Sequence, residues 1–146
     1  MDANWGGEHK WLTSGFIIKH GGDSVAWGAK RQTVVALSTC AAEYIALSDG
    51  AQHLAAISIL LEDIAHSIPM KIFCDNETAI LIAGDNASKK KTKYLMRAFY
   101  FINDFIRANK IKIEWTSTSS QQADIFTKRL GPNKMEDAIQ KLGLRR

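Results

Sequence analysis

The chain has 146 residues, 46% of them of hydrophobic type and 23% charged, enough for one domain with a real core and too few for two. That apolar content and a net charge of only +4 exclude a disordered chain, and two prolines with ten glycines exclude a collagen-like one. No apolar run approaches the ~20 residues of a membrane span, Met1–Gly7 lacks the flanks of a secretory signal, and Cys40 and Cys74 form no CxxC pair, so an intracellular, reducing setting without a membrane is expected.

In chain order, Ser14–Lys19 and Ser24–Ala29 read as two strands of a hairpin around Gly21-Gly22-Asp23. Thr33–Leu37 is β-prone, as strand or extended loop. Ser38 or Thr39 then caps a long helix reaching about His66, with Ala42, Ile45, Ala46, Leu54, Ile57, Leu61 and Ile64 near helical spacing and Pro69 just beyond. Met70–Cys74 is a compact apolar run that predicts a buried strand, opening at Asp75-Asn76 into a helix from Glu77 to about Ala83. A basic run, Lys89-Lys90-Lys91-Thr92-Lys93, precedes an amphipathic helix from about Tyr94 to Asn109. Ile111–Trp115 alternates as a half-buried strand. Helices at Gln121–Lys128 and about 133–142 follow, divided by Gly131-Pro132. Strands followed by alternating helices and strands predict a mixed α/β domain. Trp5, Trp11, Trp27 and Trp115 are expected in the core or at its edge, Trp11 least firmly.

Four acids fall where a shared site can form. Asp2 lies at the end of a first strand, Glu43 in the first turns of the long helix, Asp75 at the C-terminal end of a buried strand, and Asp124 in the first turn of a late helix. The four histidines are scattered, without zinc spacing. All-carboxylate sites favour hard cations such as Mg²⁺ or Mn²⁺, and two such ions serve phosphodiester cleavage. Each acid also has a plainer reading: Asp124 and Asp75 as helix N-terminal charges, Glu43 and Asp2 as surface residues. The charge is uneven. Residues 1–75 carry a net −3 and residues 76–146 a net +7, which suits a polyanion beside a cation site as well as ordinary surface charge.

The segments around these acids carry a resemblance. Gln32–Ser48 (QTVVALSTCAAEYIALS), Asp2–Gly7 (DANWGG), Thr13–Phe16 (TSGF), Ile72–Ile80 (IFCDNETAI) and Gln122–Lys128 (QADIFTK) stand in the order and spacing of the ribonuclease H domain of copia-type LTR retrotransposon polyproteins, which the chain resembles over nearly its whole length. The resemblance implies a ribonuclease H-like fold, a mixed five-stranded sheet flanked by helices, here with its first strand truncated. It implies a single domain over 1–146, with 131–146 as a C-terminal extension of it. It implies endonucleolytic cleavage of the RNA strand of RNA–DNA hybrids with two Mg²⁺ ions, Mn²⁺ being the alternative. Asp2, Glu43, Asp75 and Asp124 match the family's metal-binding, catalytic carboxylates. The implied partners are the hybrid and the reverse transcriptase domain of the same polyprotein, in the cytoplasm, a retroelement particle or the nucleus.

Nucleic-acid contacts are expected from Ser38, Thr39 and Asn76, for which helix capping is the equal alternative, and from Lys30, Arg31, Lys89, Lys90, Lys91 and Lys93. The chain departs from the family at Tyr94 and Tyr100, where the family has histidines, and at Met96, where the family has an acid. These departures carry the alternative reading, a catalytically weak or inactive remnant that binds nucleic acid without cleaving it.

Overall fold

A computed structural model describes residues 2–3, 12–33, 38–64, 69–84, 96–109 and 111–143. The elements are β1 (Asp2–Ala3), β2 (Thr13–His20), β3 (Asp23–Arg31), α1 (Thr39–Glu62), β4 (Lys71–Cys74), α2 (Glu77–Gly84), α3 (Met96–Asn109), β5 (Lys112–Trp115), a 3-10 turn (Thr118–Ser120), α4 (Asp124–Thr127) and α5 (Pro132–Lys141).

Gly21 and Gly22 have φ of 61° and 96°, the left-handed backbone that a two-residue hairpin loop demands and glycine adopts without strain. They set the antiparallel register in which His20 faces Asp23 and Phe16 faces Gly28. The register slips between Ile18 and Lys19, so the hairpin twists at its far end. Alternation along β2 then decides what covers each face. Phe16 stacks on His53 of α1, ring centroids 4.2 Å apart, while neighbouring Gly15 points at Ala123, the N-cap of α4, and at Phe126 and Thr127 of that helix. The sheet is therefore sandwiched between α1 and α4. The far end of α5 is fastened to the hairpin by Ser24 Oγ donating to the Leu142 carbonyl, 3.0 Å, and by Lys19 Nζ donating to the Lys141 carbonyl, 2.7 Å.

Ser38 caps α1, its hydroxyl accepting the Ala41 N–H at 3.1 Å. Against the expectation from the sequence, α1 is long and apolar enough, by length and composition alone, to cross a membrane, a test that a buried core helix also passes. Here Ala42, Tyr44, Ala46, Leu47 and Ala51 are buried in one core that also takes in Phe16, Ile18, Ile72, Cys74, Ala79, Ile102, Phe105 and Ile111.

The chain is mixed α/β, with a different sheet arrangement from that expected. Among the described residues the strands form two sheets, β1-β2-β3 antiparallel and β4-β5 parallel, rather than one sheet of five. A single mixed sheet needs a central strand paired on both sides, and among the described residues β1 covers two residues and pairs with β2 alone. α1 packs against both halves instead. The tryptophan expectation also fails where the structure describes it: Trp27 is 57% and Trp115 55% exposed. Trp27 sits opposite Ile17 on the α4 face, and a four-residue α4 is only ~6 Å long, too short to cover both Gly15 and Trp27. Trp115 is the last residue of β5. Trp5 and Trp11 lie outside the described residues.

Candidate metal centre

Parallel pairing in register, Cys74 beside Trp115, brings the C-terminal ends of β4 and β5 level. The ladder runs one step further through the Thr116 N–H to the Cys74 carbonyl, 2.9 Å. At that end β4 turns sharply into α2, because Asn76 Oδ1 accepts the Ala79 N–H at 3.0 Å and caps the helix. Asp75 is left at the corner, half-buried. The turn following β5 lies over it, and Thr118 Oγ1 donates to Asp75 Oδ2 at 3.0 Å.

Glu43 reaches the same corner from α1. It is 9% exposed, between buried Ala42 and Tyr44. Glu43, Cys74 and Asp75 each offer a ligand atom within 4.8 Å of the others. Of the four acids that the sequence groups, Asp2, Glu43, Asp75 and Asp124, this cluster holds Glu43 and Asp75, and it adds Cys74 and, through Asp75, Thr118, to which the sequence assigns no role. Cys74 was legible as the strand residue abutting Asp75. Thr118 had no signal, being 43 residues from its partner.

The other two acids are placed through β2. Asp2 pairs with Gly15 in the ladder. A Cβ at Gly15 would stand 2.7 Å from Thr127 Cγ2 and 3.0 Å from the Ala123 carbonyl, so the missing side chain lets α4 lie directly on the strand. Asp124 opens α4, and its Oδ1 is 2.9 Å from Lys128 Nζ, one turn on. The Asp2 side chain lies outside the described residues, and Asp124 does not belong to the Glu43–Cys74–Asp75 group.

Of the expected nucleic-acid contacts, Ser38 and Asn76 spend a side-chain oxygen on helix caps. Thr39 is exposed at the first turn of α1. Lys30 pairs with Asp49 Oδ1 at 3.2 Å, and Arg31 ends β3 on the exposed edge. Lys89, Lys90, Lys91 and Lys93 lie outside the described residues.

Burial first of all, with the charges of Glu43 and Asp75 adding and a backbone hydrogen bond from Asn76 opposing, pushes the Cys74 thiol up to about 11. Cys40 is raised in the same way, by burial and then by Glu43. Near neutral pH Cys74 is thus a protonated, weak donor. The strong donors at the corner are carboxylate oxygens, a set that fits a hard divalent cation such as Mg²⁺ or Mn²⁺ better than a soft one.

The chain is 26% identical, over 146 residues and 98% of its length, to the retrovirus-related Pol polyprotein from transposon TNT 1-94 of Nicotiana tabacum. It is 26% identical, over 149 residues and 99% of its length, to the corresponding polyprotein from transposon RE1 of Arabidopsis thaliana. It spans 11% and 10% of those two proteins. A stretch of 60 residues, 40% of this chain, is 40% identical to secreted RxLR effector protein 161 of Plasmopara viticola, covering 42% of that protein. No family model matches the chain, and no solved structure matches it. Similarity to Pol polyproteins along nearly the whole chain supports a retroelement-derived region.

Proposed function

We propose that this chain is a ribonuclease H-like domain of retroelement origin that cleaves the RNA strand of RNA–DNA hybrids with two divalent ions, Mg²⁺ or in its place Mn²⁺. The observation that carries the reading is the meeting of Glu43 and Asp75, from two elements far apart in sequence, with ligand atoms within 4.8 Å. Divalent ions at such a site supply an activated water and offset charge on the departing oxygen. The chain's own part is to hold and orient. Glu43 presents a carboxylate from the buried first turns of α1, and Asp75 presents one whose Oδ2 is fixed by Thr118. In this reading Asp2, whose backbone pairs with Gly15, and Asp124, at the start of the helix that rests on Gly15, complete the carboxylate set. Without metal, burial holds Cys74 as a neutral thiol that adds no further negative charge to the corner. In this reading the domain works beside the reverse transcriptase of its polyprotein, inside the cell or the element's particle, on the hybrid that enzyme makes.

The test is cleavage of an end-labelled RNA–DNA hybrid by the purified chain. The expected result is Mg²⁺-dependent cutting of the RNA strand alone, abolished by chelation. A chain that binds hybrid and leaves it intact with saturating Mg²⁺ or Mn²⁺ supports instead the second reading, an inactive remnant, which Tyr94, Met96 and Tyr100 favour.

A further inference from the structure

Gln32 follows β3 and is 2% exposed. Its Nε2 donates to two acceptors, Ser14 Oγ at 3.0 Å and the Ala42 carbonyl at 2.9 Å. The carbonyl can only accept, so the amide orientation is fixed. Its backbone N–H donates to the Leu12 carbonyl at 2.7 Å, which holds the residue against the start of β2. The side chain thus ties α1 to β2 at one chosen point on each. On α1 the point is the residue before Glu43. On β2 it is Ser14, whose ladder partner Ala3 follows Asp2.

The same amide leaves Oε1 buried with no hydrogen-bond partner among the described residues. An orphaned buried acceptor is costly, and an apolar side chain of similar shape avoids that cost. Packing alone therefore does not account for a glutamine here. What the amide supplies, and an apolar residue cannot, is a fixed distance and rotation between the first turns of α1 and the strand beside β1.

We propose that Gln32 is a positioning residue that sets Glu43 against the other carboxylates, and so tunes divalent-metal affinity without touching metal or substrate; this rests on the metal-centre reading above. Groups of this outer kind commonly change metal affinity 10–100-fold.

The experiment measures Mn²⁺ binding by paramagnetic resonance of free Mn²⁺, on the full chain without nucleic acid, beside thermal melts. Gln32→Met is expected to keep the fold and weaken Mn²⁺ binding about tenfold, with hybrid cleavage restored at raised metal concentration. Ser14→Ala, which frees the β2 end of the tie and keeps the Ala42 bond, is expected to weaken Mn²⁺ binding in the same direction by a smaller factor. Gln32→Asn, too short to span both acceptors yet still polar, gives a shift of the same sign should Gln32→Met fail to fold. Equal loss of stability in the Gln32 and Ser14 variants with unchanged Mn²⁺ affinity makes Gln32 a structural tie only and overturns the proposal. Wild-type chain that binds no Mn²⁺, and in which Glu43→Gln changes nothing, removes the metal reading and the proposal together.

Discussion

Asp2 stands directly across the β1–β2 ladder from Gly15, the residue on which α4 rests. One of the four expected carboxylates, Asp124 on that helix, thus depends on the absence of a side chain at Gly15. Gly15→Ala should force α4 off the strand, because its Cβ would lie 2.7 Å from Thr127 Cγ2 and 3.0 Å from a backbone oxygen. The expected cost is ~1–3 kcal/mol, read from urea midpoints, together with weaker Mn²⁺ binding as Asp124 is displaced.

Asp75→Asn should abolish Mg²⁺-dependent hybrid cleavage, by more than the ~10–100-fold of an outer-shell change, and leave circular dichroism unchanged. The amide keeps the shape and loses the charge that binds a cation. Full activity in this variant places the cleavage elsewhere.

Ser38→Ala should cost ~0.5–2 kcal/mol, because Ser38 caps α1 through the Ala41 N–H at 3.1 Å. Ser38→Asp should keep that stability. If capping is its whole role, hybrid affinity of the alanine variant stays at the wild-type value. A tenfold loss of affinity with unchanged stability reverses the assignment.

Cys74 predicts an alkaline loss of stability. An unfolded thiol ionises near ~8.5, whereas the folded one is held at about 11. Between these values the folded chain keeps a proton that the unfolded chain has lost, so stability falls as pH rises. The contribution is complete below the lower value and gone above the upper one. Urea midpoints at about pH 8 and about pH 10.5 should fall further for wild type than for Cys74→Ala.

Changing Lys89, Lys90, Lys91 and Lys93 together to alanine should weaken binding of every duplex tested and flatten its salt dependence. Unchanged hybrid affinity at low salt makes the run a solvated loop.

What the sequence made legible was local. Gly21-Gly22 announced the hairpin because only glycine takes that backbone cheaply, and Ser38 announced the start of α1 because its hydroxyl serves a donor three residues on. The corner at Asp75 was legible because an apolar run stops there. What stayed hidden was non-local. Strand pairing depends on partners that no periodicity names, so one sheet was expected where two are found. Thr118 meets Asp75, and Gln32 meets Ala42, only once the chain has closed. Trp27 looked like core because its strand is β-rich, but the length of the helix opposite decides what is covered.

The two sheets share a core and, among the described residues, no backbone ladder. Cohesion between them is sideways, through α1 and the shared core, so hydrogen exchange is expected to show the hairpin unit and the β4–α2–α3–β5 unit opening with separate free energies. Glu43 sits on the helix that spans both, and Asp75 on the second unit alone. A cation held jointly by these two carboxylates therefore acts as a rivet. By mass action such a cation stabilises only states in which both units are closed, so under the proposed metal reading its addition is expected to merge two hydrogen-exchange classes into one.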